Sequence, residues 1–269
     1  MRKLTAPTKK PVTLAPIRPN LGIQIEFQRK LDALIERMNR DTQKTILAAY
    51  KRRPPEMAQD ASPAAILRAV IRRLASDWNK RFSEFAEKWG SKFAKDSTAS
   101  TDRSFAAALR KAGFTVKMQM TREVNDITQA AVASNVALIK SIPQEYHKDI
   151  EGIVMRSVQV GRDMGTLTRE LQHNYGVTYR RAAIIARSQS NMATAAVTRA
   201  RQAEIGVTTA IWLHSSGGKK PRPSHVKNSG KPYNISTGWY DPDEKKFILP
   251  GFLPNCRCIS KSIIAGIND

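Results

Sequence analysis

Apolar residues recur at helical spacing through most of the first 205 residues, and this pattern stops at Gly206. Phe27, Leu31 and Leu34, for example, fall on one face of a helix. Beyond Gly206, residues 208–214 are mostly β-branched and aromatic, which favours a strand. The sequence therefore predicts an α+β fold, with a mainly α-helical body and a small β-rich C-terminal unit.

Prolines, glycines and changes of composition divide the chain into four segments. Four prolines among the first 20 residues fix φ and remove hydrogen-bond donors, so this stretch is expected to be an extended arm. Such an arm either docks on a partner or stays disordered. The predicted segments are an extended proline-rich, basic arm (1–20), a helical N-terminal region (21–134), a second helical region (135–206) and the β-rich unit (207–269).

Local signals place the boundaries of the individual elements. Ser62 and Pro63 are typical of a helix N-terminus, whereas Gly90, Pro143 and Gly176 are expected to interrupt helices. The predicted helices are 21–50, 62–89, 101–112, 122–141, 144–161, 166–174 and 178–204. The predicted strands are 208–214, 247–249 and 259–264, with a turn at 241–244 and a short strand or extended link at 114–120.

The charge is strongly unbalanced, with 45 Lys and Arg against 23 Asp and Glu and a net charge of +22. The excess is spread along the whole chain, so the folded body itself is cationic and nucleic acid is the expected partner. No nucleic-acid-binding residues can be singled out. The basic positions of the predicted helix 62–89 could contact phosphates: Arg68, Arg72, Arg73, Lys80 and Arg81. Its aromatic stripe is expected to be core.

Composition also limits the compartment. Two cysteines do not form a disulfide framework, which favours a reducing cytoplasm. The first residues lack the apolar run of a signal peptide, and no stretch reaches 18 apolar residues, so no membrane association is expected.

Both cysteines, Cys256 and Cys258, lie near the C-terminus, with His214 and His225 upstream. If they lie on a strand, the two sulfurs point to one face, and the four side chains could form a Cys2His2 zinc site. The C-x-C spacing is tighter than usual for zinc. The alternative is a pair of buried, reduced thiols that pack as small hydrophobic groups. A disulfide between them is disfavoured by strand geometry. We therefore expect no obligatory cofactor, with zinc as the open alternative.

Enzymatic signatures are missing from the sequence: there is no Walker motif, no G-x-G-x-x-G and no H-E-x-x-H. His214 or His225 could act as a general base beside the acidic residues of segment 241–244, as in a metal-dependent nuclease. That acidic segment reads as a turn, so no catalytic residues and no enzymatic activity are expected.

The helix predicted over 178–204 carries a stripe of small residues that should allow close packing. Arg187, Gln189 and Asn191 occupy its middle. They could form a polar site, but a solvent-facing surface is the simpler interpretation.

From about residue 135 to 265 the chain resembles the phage Mu F-type minor head proteins, also called head morphogenesis proteins of tailed bacteriophages. Residues 135–206 would then be the helical part of the Mu F-like domain. Four stretches carry the resemblance: Leu138-Ile-Lys-Ser-Ile-Pro143; residues 186–194 of the long helix; Trp212 with Arg222-x-x-His225 and Gly230; and the closing Pro254-Asn255-Cys256-Arg257-Cys258, here called the PNCRC motif.

The resemblance implies a structural protein of the virion, made in the host cytoplasm and located in the capsid interior or at the portal vertex. Its expected partners are the portal protein, the major capsid protein or both, and the packaged double-stranded DNA. Its expected role is in head morphogenesis, DNA packaging or DNA delivery. The alternatives are a basic DNA-binding protein without a capsid role and, less favoured, a metal-dependent nuclease.

The chain departs from the family pattern in two places. Many relatives have Cys-x-x-Cys where this chain has Arg222-Pro-Ser-His225, which puts a four-cysteine metal site out of reach. Many also have an acidic residue where this chain has Gln189 or Ser190, which puts in doubt the contact that residue would make with the C-terminal unit.

Overall fold

Helices and strands segregate along the chain as the residue pattern predicts, which confirms the α+β class. The computed structural model describes residues 11–51, 62–115, 118–160, 163–218 and 220–265. The helices are α1 (Leu21–Lys51), α2 (Pro63–Phe85), α3 (Ser91–Lys111), α4 (Arg122–Gln159), α5 (Met164–Glu204) and α6 (Pro223–Lys227), with a π-helical turn (Ala86–Gly90) between α2 and α3. The strands are β1 (Val12–Thr13), β2 (Thr209–Leu213), β3 (Pro232–Asn234), β4 (Trp239–Asp241), β5 (Lys246–Ile248) and β6 (Ile259–Ile264).

The chain divides into two compact units, each discontinuous in sequence. The helical unit comprises Ile25–Ser91 and Ser134–Ile185. The mixed unit comprises Met1–Gln24, Lys92–Ala133 and Ala186–Asp269, and it contains all the strands of the described residues. The boundaries between the two units fall inside helices. They differ from the boundaries of the four segments predicted from prolines, glycines and changes of composition.

The helical unit is held together by apolar stripes on its helices. On α2 the buried stripe runs through Leu67, Ile71, Leu74, Trp78 and Phe82, and the aromatic residues there are core as expected. Ile66, in the first turn of α2, lies outside this stripe and is 40% exposed. The buried partners from the other helices of this unit include Leu31, Ile35, Met38, Ile139, Ile150, Leu167 and Leu171.

Three of the predicted helix breaks are wrong. Pro143 lies inside α4, and Gly176 lies inside α5. Gly90 ends a π-helical turn that leads directly into α3, and a Cβ there would meet the Ile139 side chain at 3.1 Å. Burial against neighbouring helices outweighs the local cost of a glycine or a proline, since most helical stability in proteins comes from packing.

The observed helix starts follow cap chemistry. Ser62 Oγ accepts a hydrogen bond from the Ala65 amide at 3.2 Å, which confirms the predicted start of α2. The predicted helix start at residue 178 is wrong, because Thr178 lies within α5, where its hydroxyl donates to Asn174 O. The cap of α5 is Asp163, whose carboxylate accepts from the amides of Gly165 and Thr166 at 3.0 and 2.9 Å.

The mixed unit is built on a four-stranded antiparallel sheet of order β1-β6-β2-β3. Its register pairs Ala210 with Ser262 on β6 and with Tyr233 on β3. A second antiparallel pair, β4 with β5, aligns Trp239 with Ile248. The predicted strands in segments 208–214, 247–249 and 259–264 are therefore confirmed. Residues 114–115 and 118–120 form no strand, which leaves the extended link, and residues 116–117 lie outside the described part.

Residues 11–20 are not a free arm. Val12 pairs with Ile264 at the edge of the sheet, and the Leu14 amide donates to Ser262 O at 3.0 Å. Leu14 and Ile17 are buried in the core of the mixed unit. Residues 1–10 of the predicted arm lie outside the described residues.

A buried arginine ties α3 to α5 within the mixed unit. Arg201 is 2% exposed and forms two hydrogen bonds to the Asp102 carboxylate, at 2.8 and 2.9 Å. It also binds Glu204 at 2.7 Å and Gln119 O at 2.8 Å. This network fixes the C-terminal half of α5, which carries the contacts described below.

Among the described residues, none of the helices combines the length with the apolar character that a membrane crossing requires.

We expect Gly238→Ala to destabilise the mixed unit strongly. Gly238 has φ +87°, and an added Cβ would lie 2.4 Å from Ile248 O on β5. Left-handed backbone costs a non-glycine residue about 1 kcal/mol or more, and the clash with backbone adds to it, so a loss above about 2 kcal/mol is expected. Gly206→Ala is the matched control, since Gly206 has φ +78° but open space around it. Urea unfolding measures both, and equal losses would contradict the clash.

We expect His147 to make stability fall on acidification. Burial lowers the pKa of His147, whose ring contacts Pro143 O and Thr42 Oγ1. The unfolded chain then binds the proton more readily, so the free energy of unfolding is highest above pH 6.5. It decreases as pH falls through 6.5, by at most about 1.4 kcal/mol per pH unit.

This slope is measured by chemical denaturation between pH 8 and 5.5. His147→Gln should flatten it, whereas His173→Gln, an exposed histidine of the same unit, should not. A slope that survives in His147→Gln would remove His147 as its source.

Candidate functional site

Three metal-ligand side chains converge in the mixed unit: His225, Cys256 and Cys258. His225 Nδ1 lies 3.6 Å from Cys256 Sγ and 3.5 Å from Cys258 Sγ. One ligand atom from each residue lies within 4.8 Å of the others, and all three side chains are buried. In the described part of the chain, no other group of three or more His, Cys, Asp or Glu converges in this way.

His225 is oriented from its other ring nitrogen. It lies on α6, and its Nε2 is 3.2 Å from Asp241 Oδ2 on β4. Asp241 has no solvent exposure. The two atoms are close but not aligned as a regular hydrogen bond, so we describe the contact as a short polar pair. With the carboxylate beside Nε2, the arrangement favours a proton on Nε2 and leaves the Nδ1 lone pair toward the sulfurs.

Aromatic rings enclose the imidazole. Trp212 meets His225 edge to face, with ring centroids 5.1 Å apart, and Trp239 lies 6.4 Å away in a similar geometry. Trp212 has no solvent exposure and also packs against Tyr233. This apolar wall keeps water away from the cluster and strengthens its polar contacts.

The PNCRC motif is a turn and an irregular segment that lead into β6, so the predicted strand at the cysteines is wrong. Asn255 occupies the left-handed region with φ 60°, and the Cys256 amide donates to Leu253 O at 3.0 Å. This turn still directs both sulfurs to His225. The two cysteines are free thiols.

The two sulfurs influence each other's ionisation. A hydrogen bond from Cys258 lowers the pKa of Cys256. The same interaction, together with burial, raises the pKa of Cys258, because a second negative charge would lie beside the first. Ionisation of one thiol therefore disfavours ionisation of the other.

The PNCRC turn is held by the middle of α5. Asn191 Nδ2 donates to Cys256 O at 2.9 Å, and Ser188 Oγ accepts from the Asn255 amide at 2.9 Å. Arg187 Nη1 donates to Asn255 Oδ1 at 3.3 Å. The expectation of a solvent-facing surface here is wrong, since Asn191 is 9% exposed.

Many family members have an acidic residue at the position of Gln189 or Ser190. In this chain neither of these side chains holds the PNCRC turn. Gln189 is buried and donates a long bond to Met192 Sδ, and Ser190 is buried with its hydroxyl unpaired among the described residues.

The other motif residues make hydrogen bonds around the PNCRC turn and the β2–β3 connection. Arg222 donates to Pro254 O at 3.3 Å and pairs with Glu244 at 3.4 Å. Arg257 donates to Gly217 O. The Gly230 amide donates to Trp212 O at 2.8 Å, which fixes the connection between β2 and β3.

His214 is not brought to the cluster. Its Nδ1 accepts a hydrogen bond from the Ser216 amide at 3.1 Å, and its own amide donates to Ser229. The acidic segment 241–244 forms the predicted turn, with the Asp243 amide bound to Asp241 Oδ1 at 2.9 Å.

Sequence reasoning missed the role of Asp241. The signal in the sequence was the spacing of two residues. Asp241 follows Trp239 by two positions on a strand, so both side chains point to the same face of that strand. A carboxylate in phase with a partly buried tryptophan needs a polar partner inside the fold, and His225 is that partner.

Residues 148–260 match the family model described as "Phage Mu protein F like protein". This match confirms, over residues 148–260, the resemblance to the phage Mu F-like family that the motifs predict. A protein of Haemophilus influenzae strain KW20 Rd, described as uncharacterized, is 31% identical over 145 residues. That alignment covers 54% of this chain and 30% of the relative, so the chain spans less than a third of the relative's length. No solved structure matches the chain.

We expect Asn191→Ala to loosen the PNCRC turn. The variant leaves the buried Cys256 carbonyl without its side-chain donor, which should cost about 1–3 kcal/mol of unfolding free energy. Gln189→Ala is the matched control, because Gln189 is equally buried but donates only a 3.8 Å bond to sulfur. Urea unfolding followed by tryptophan fluorescence reports the difference through Trp212 and Trp239, and equal losses would contradict the role of Asn191.

Proposed function

We propose that this chain is a minor head protein of a tailed bacteriophage, associated with the portal or the inner capsid wall and acting in head morphogenesis. The observation that carries the proposal is the match of residues 148–260 to the phage Mu F-like family, which is one of head morphogenesis proteins. The expected location is the virion. Its partners would be the portal protein, the major capsid protein or both.

The geometry supports a structural role for the family segment. The residues that carry the resemblance, including Trp212, Arg222, His225 and the PNCRC motif, contact one another or α5 rather than line an open cleft. Their common effect is to fix a turn against a helix. Such an arrangement suits a rigid module that presents its surface to a neighbouring subunit.

Charge supports a position beside packaged DNA. The net charge of +22 attracts polyanions, and part of the excess lies on α2. Arg72, Arg73 and Lys80 are exposed there and form no ion pair among the described residues. Arg68, in contrast, pairs with Glu151 at 3.2 Å, and Arg81 stacks on Trp78. We propose the first three as phosphate contacts.

The charge also favours a second candidate, a basic DNA-binding protein without a capsid role. It shares the affinity for duplex DNA but predicts no capsid partner. The two candidate functions are distinguished by the location of the protein, because both predict DNA binding. A nuclease is a weaker third candidate, since His225 is buried between thiols and Asp241.

Quantitative mass spectrometry of purified particles tests the head role. We expect the chain in DNA-filled particles at far fewer copies than the major capsid protein, and we expect tagged portal protein to capture it from infected cells. If the chain is absent from particles but still binds duplex DNA, the result would contradict the role in the head and favour a DNA-binding protein without a capsid role. Cutting of plasmid in magnesium or manganese, lost in His225→Ala, would favour the nuclease.

Salt dependence tests the phosphate contacts. The logarithm of the binding constant should fall linearly with the logarithm of salt concentration, with a slope of about −0.9 per phosphate contact. Replacing Arg72, Arg73 and Lys80 by glutamine should reduce the slope by up to about 2.7. Arg40→Gln is the control, because Arg40 already pairs with Glu36 at 2.7 Å. An unchanged slope in the triple variant would place the contacts elsewhere.

A further inference from the structure

We propose that His225, Cys256 and Cys258 bind one zinc ion, with Asp241 holding the imidazole from its other ring nitrogen. This inference does not depend on the head role, since it concerns the isolated chain. It differs from the four-ligand site that the sequence suggested, because His214 lies outside the cluster and Asp241 supports it.

The first support is the spacing of the donor atoms. Zinc binds sulfur at about 2.3 Å and imidazole nitrogen at about 2.0–2.1 Å, so a tetrahedral site holds those ligand atoms about 3.6 Å apart. The two observed separations from His225 Nδ1 to sulfur are 3.6 and 3.5 Å. Both nitrogen-to-sulfur separations therefore match those of ligands on one zinc ion.

The second support is the hydrogen-bond inventory of the cluster. Nδ1 has a single lone pair, and two sulfurs approach it at nearly equal distances. Only one thiol can donate to that lone pair at a time. A cation between the three atoms satisfies the nitrogen and both sulfurs together.

The third support lies behind the imidazole. A histidine that ligates a metal through one nitrogen usually donates the other N–H to a carboxylate or carbonyl, which fixes the ring and its tautomer. Asp241 Oδ2 occupies this place, 3.2 Å from Nε2 and fully buried. A buried carboxylate is costly unless it is paired, and here the Asp243 amide binds Oδ1 while Oδ2 is left to His225 Nε2.

The donor set selects the class of ion. Two thiolates and one imidazole suit zinc, whereas calcium and magnesium require oxygen ligands. The consequence of binding is structural: the ion joins α6, which carries His225, to the turn that precedes β6. Binding free energy then becomes folding free energy for this corner of the mixed unit.

The test uses the full-length chain purified without added metal. Elemental analysis should give about one zinc per chain, removable by a chelator. Cobalt added to the metal-free chain should produce a thiolate-to-cobalt charge-transfer band that saturates at about one equivalent. The charge-transfer band arises from the thiolate ligands themselves, so in the unaltered chain it reports sulfur coordination directly.

The variants assign the ligands. Cys256→Ser and Cys258→Ser should each lose the charge-transfer intensity of one thiolate, and Asp241→Asn should weaken zinc affinity by about 10–100-fold while keeping the band. His214→Ala is the matched control and should bind as the unaltered chain does. Circular dichroism checks that each variant is folded.

Two results would overturn the proposal. One is a chain that holds no zinc and gives no charge-transfer band at saturating cobalt. The other is a band that persists unchanged in both cysteine variants, which would place the metal elsewhere.

Discussion

Hydrogen bonds from one side of α5 hold the C-terminal elements of this protein in place. Asn191 and Ser188 bind the backbone of the PNCRC turn, and Gln202 reaches Ser260 and Ser262 on β6 at 2.9 and 2.8 Å. Arg199 donates to Ile235 O at 2.8 Å. The strands here are short, and short strands alone bury little apolar area. Hydrogen bonds from α5 therefore help to hold these short strands in place. For this purpose the polar side chains of α5 are as important as its small residues.

The parts of the fold that follow from local chemistry could be predicted from the sequence. Ser62 and Pro63 mark the start of α2 because capping depends on neighbouring residues alone. Strands β2 and β6 could be predicted because β-branched and aromatic residues cluster there. The convergence of His225 with the two cysteines was expected as one alternative, since histidine and thiol side chains close together in a small unit have few other partners.

The remaining features depend on tertiary contacts that no local pattern encodes. Pro143 and Gly176 act as helix breakers only where packing does not compensate, and here both lie in helices with buried faces. The polar stretch of α5 was read as solvent-facing because its partner, the backbone of residues 255–256, is 65 or more residues away. His214 was placed in the cluster because its strand ends nearby in sequence, but the side chain is used by its own loop.

The pairing of β1 with β6 brings Val12 next to Ile264. Strands from opposite parts of the sequence thus pair at one edge of the sheet. On the side away from β2, the neighbour of β6 is β1. During synthesis β6 emerges after all the other described helices and strands, so this edge of the sheet closes only once they have been made. Until then β2 lacks its partner on that side, and an exposed strand edge invites pairing with other chains. Assembly of this sheet therefore follows the synthesis of all the described helices.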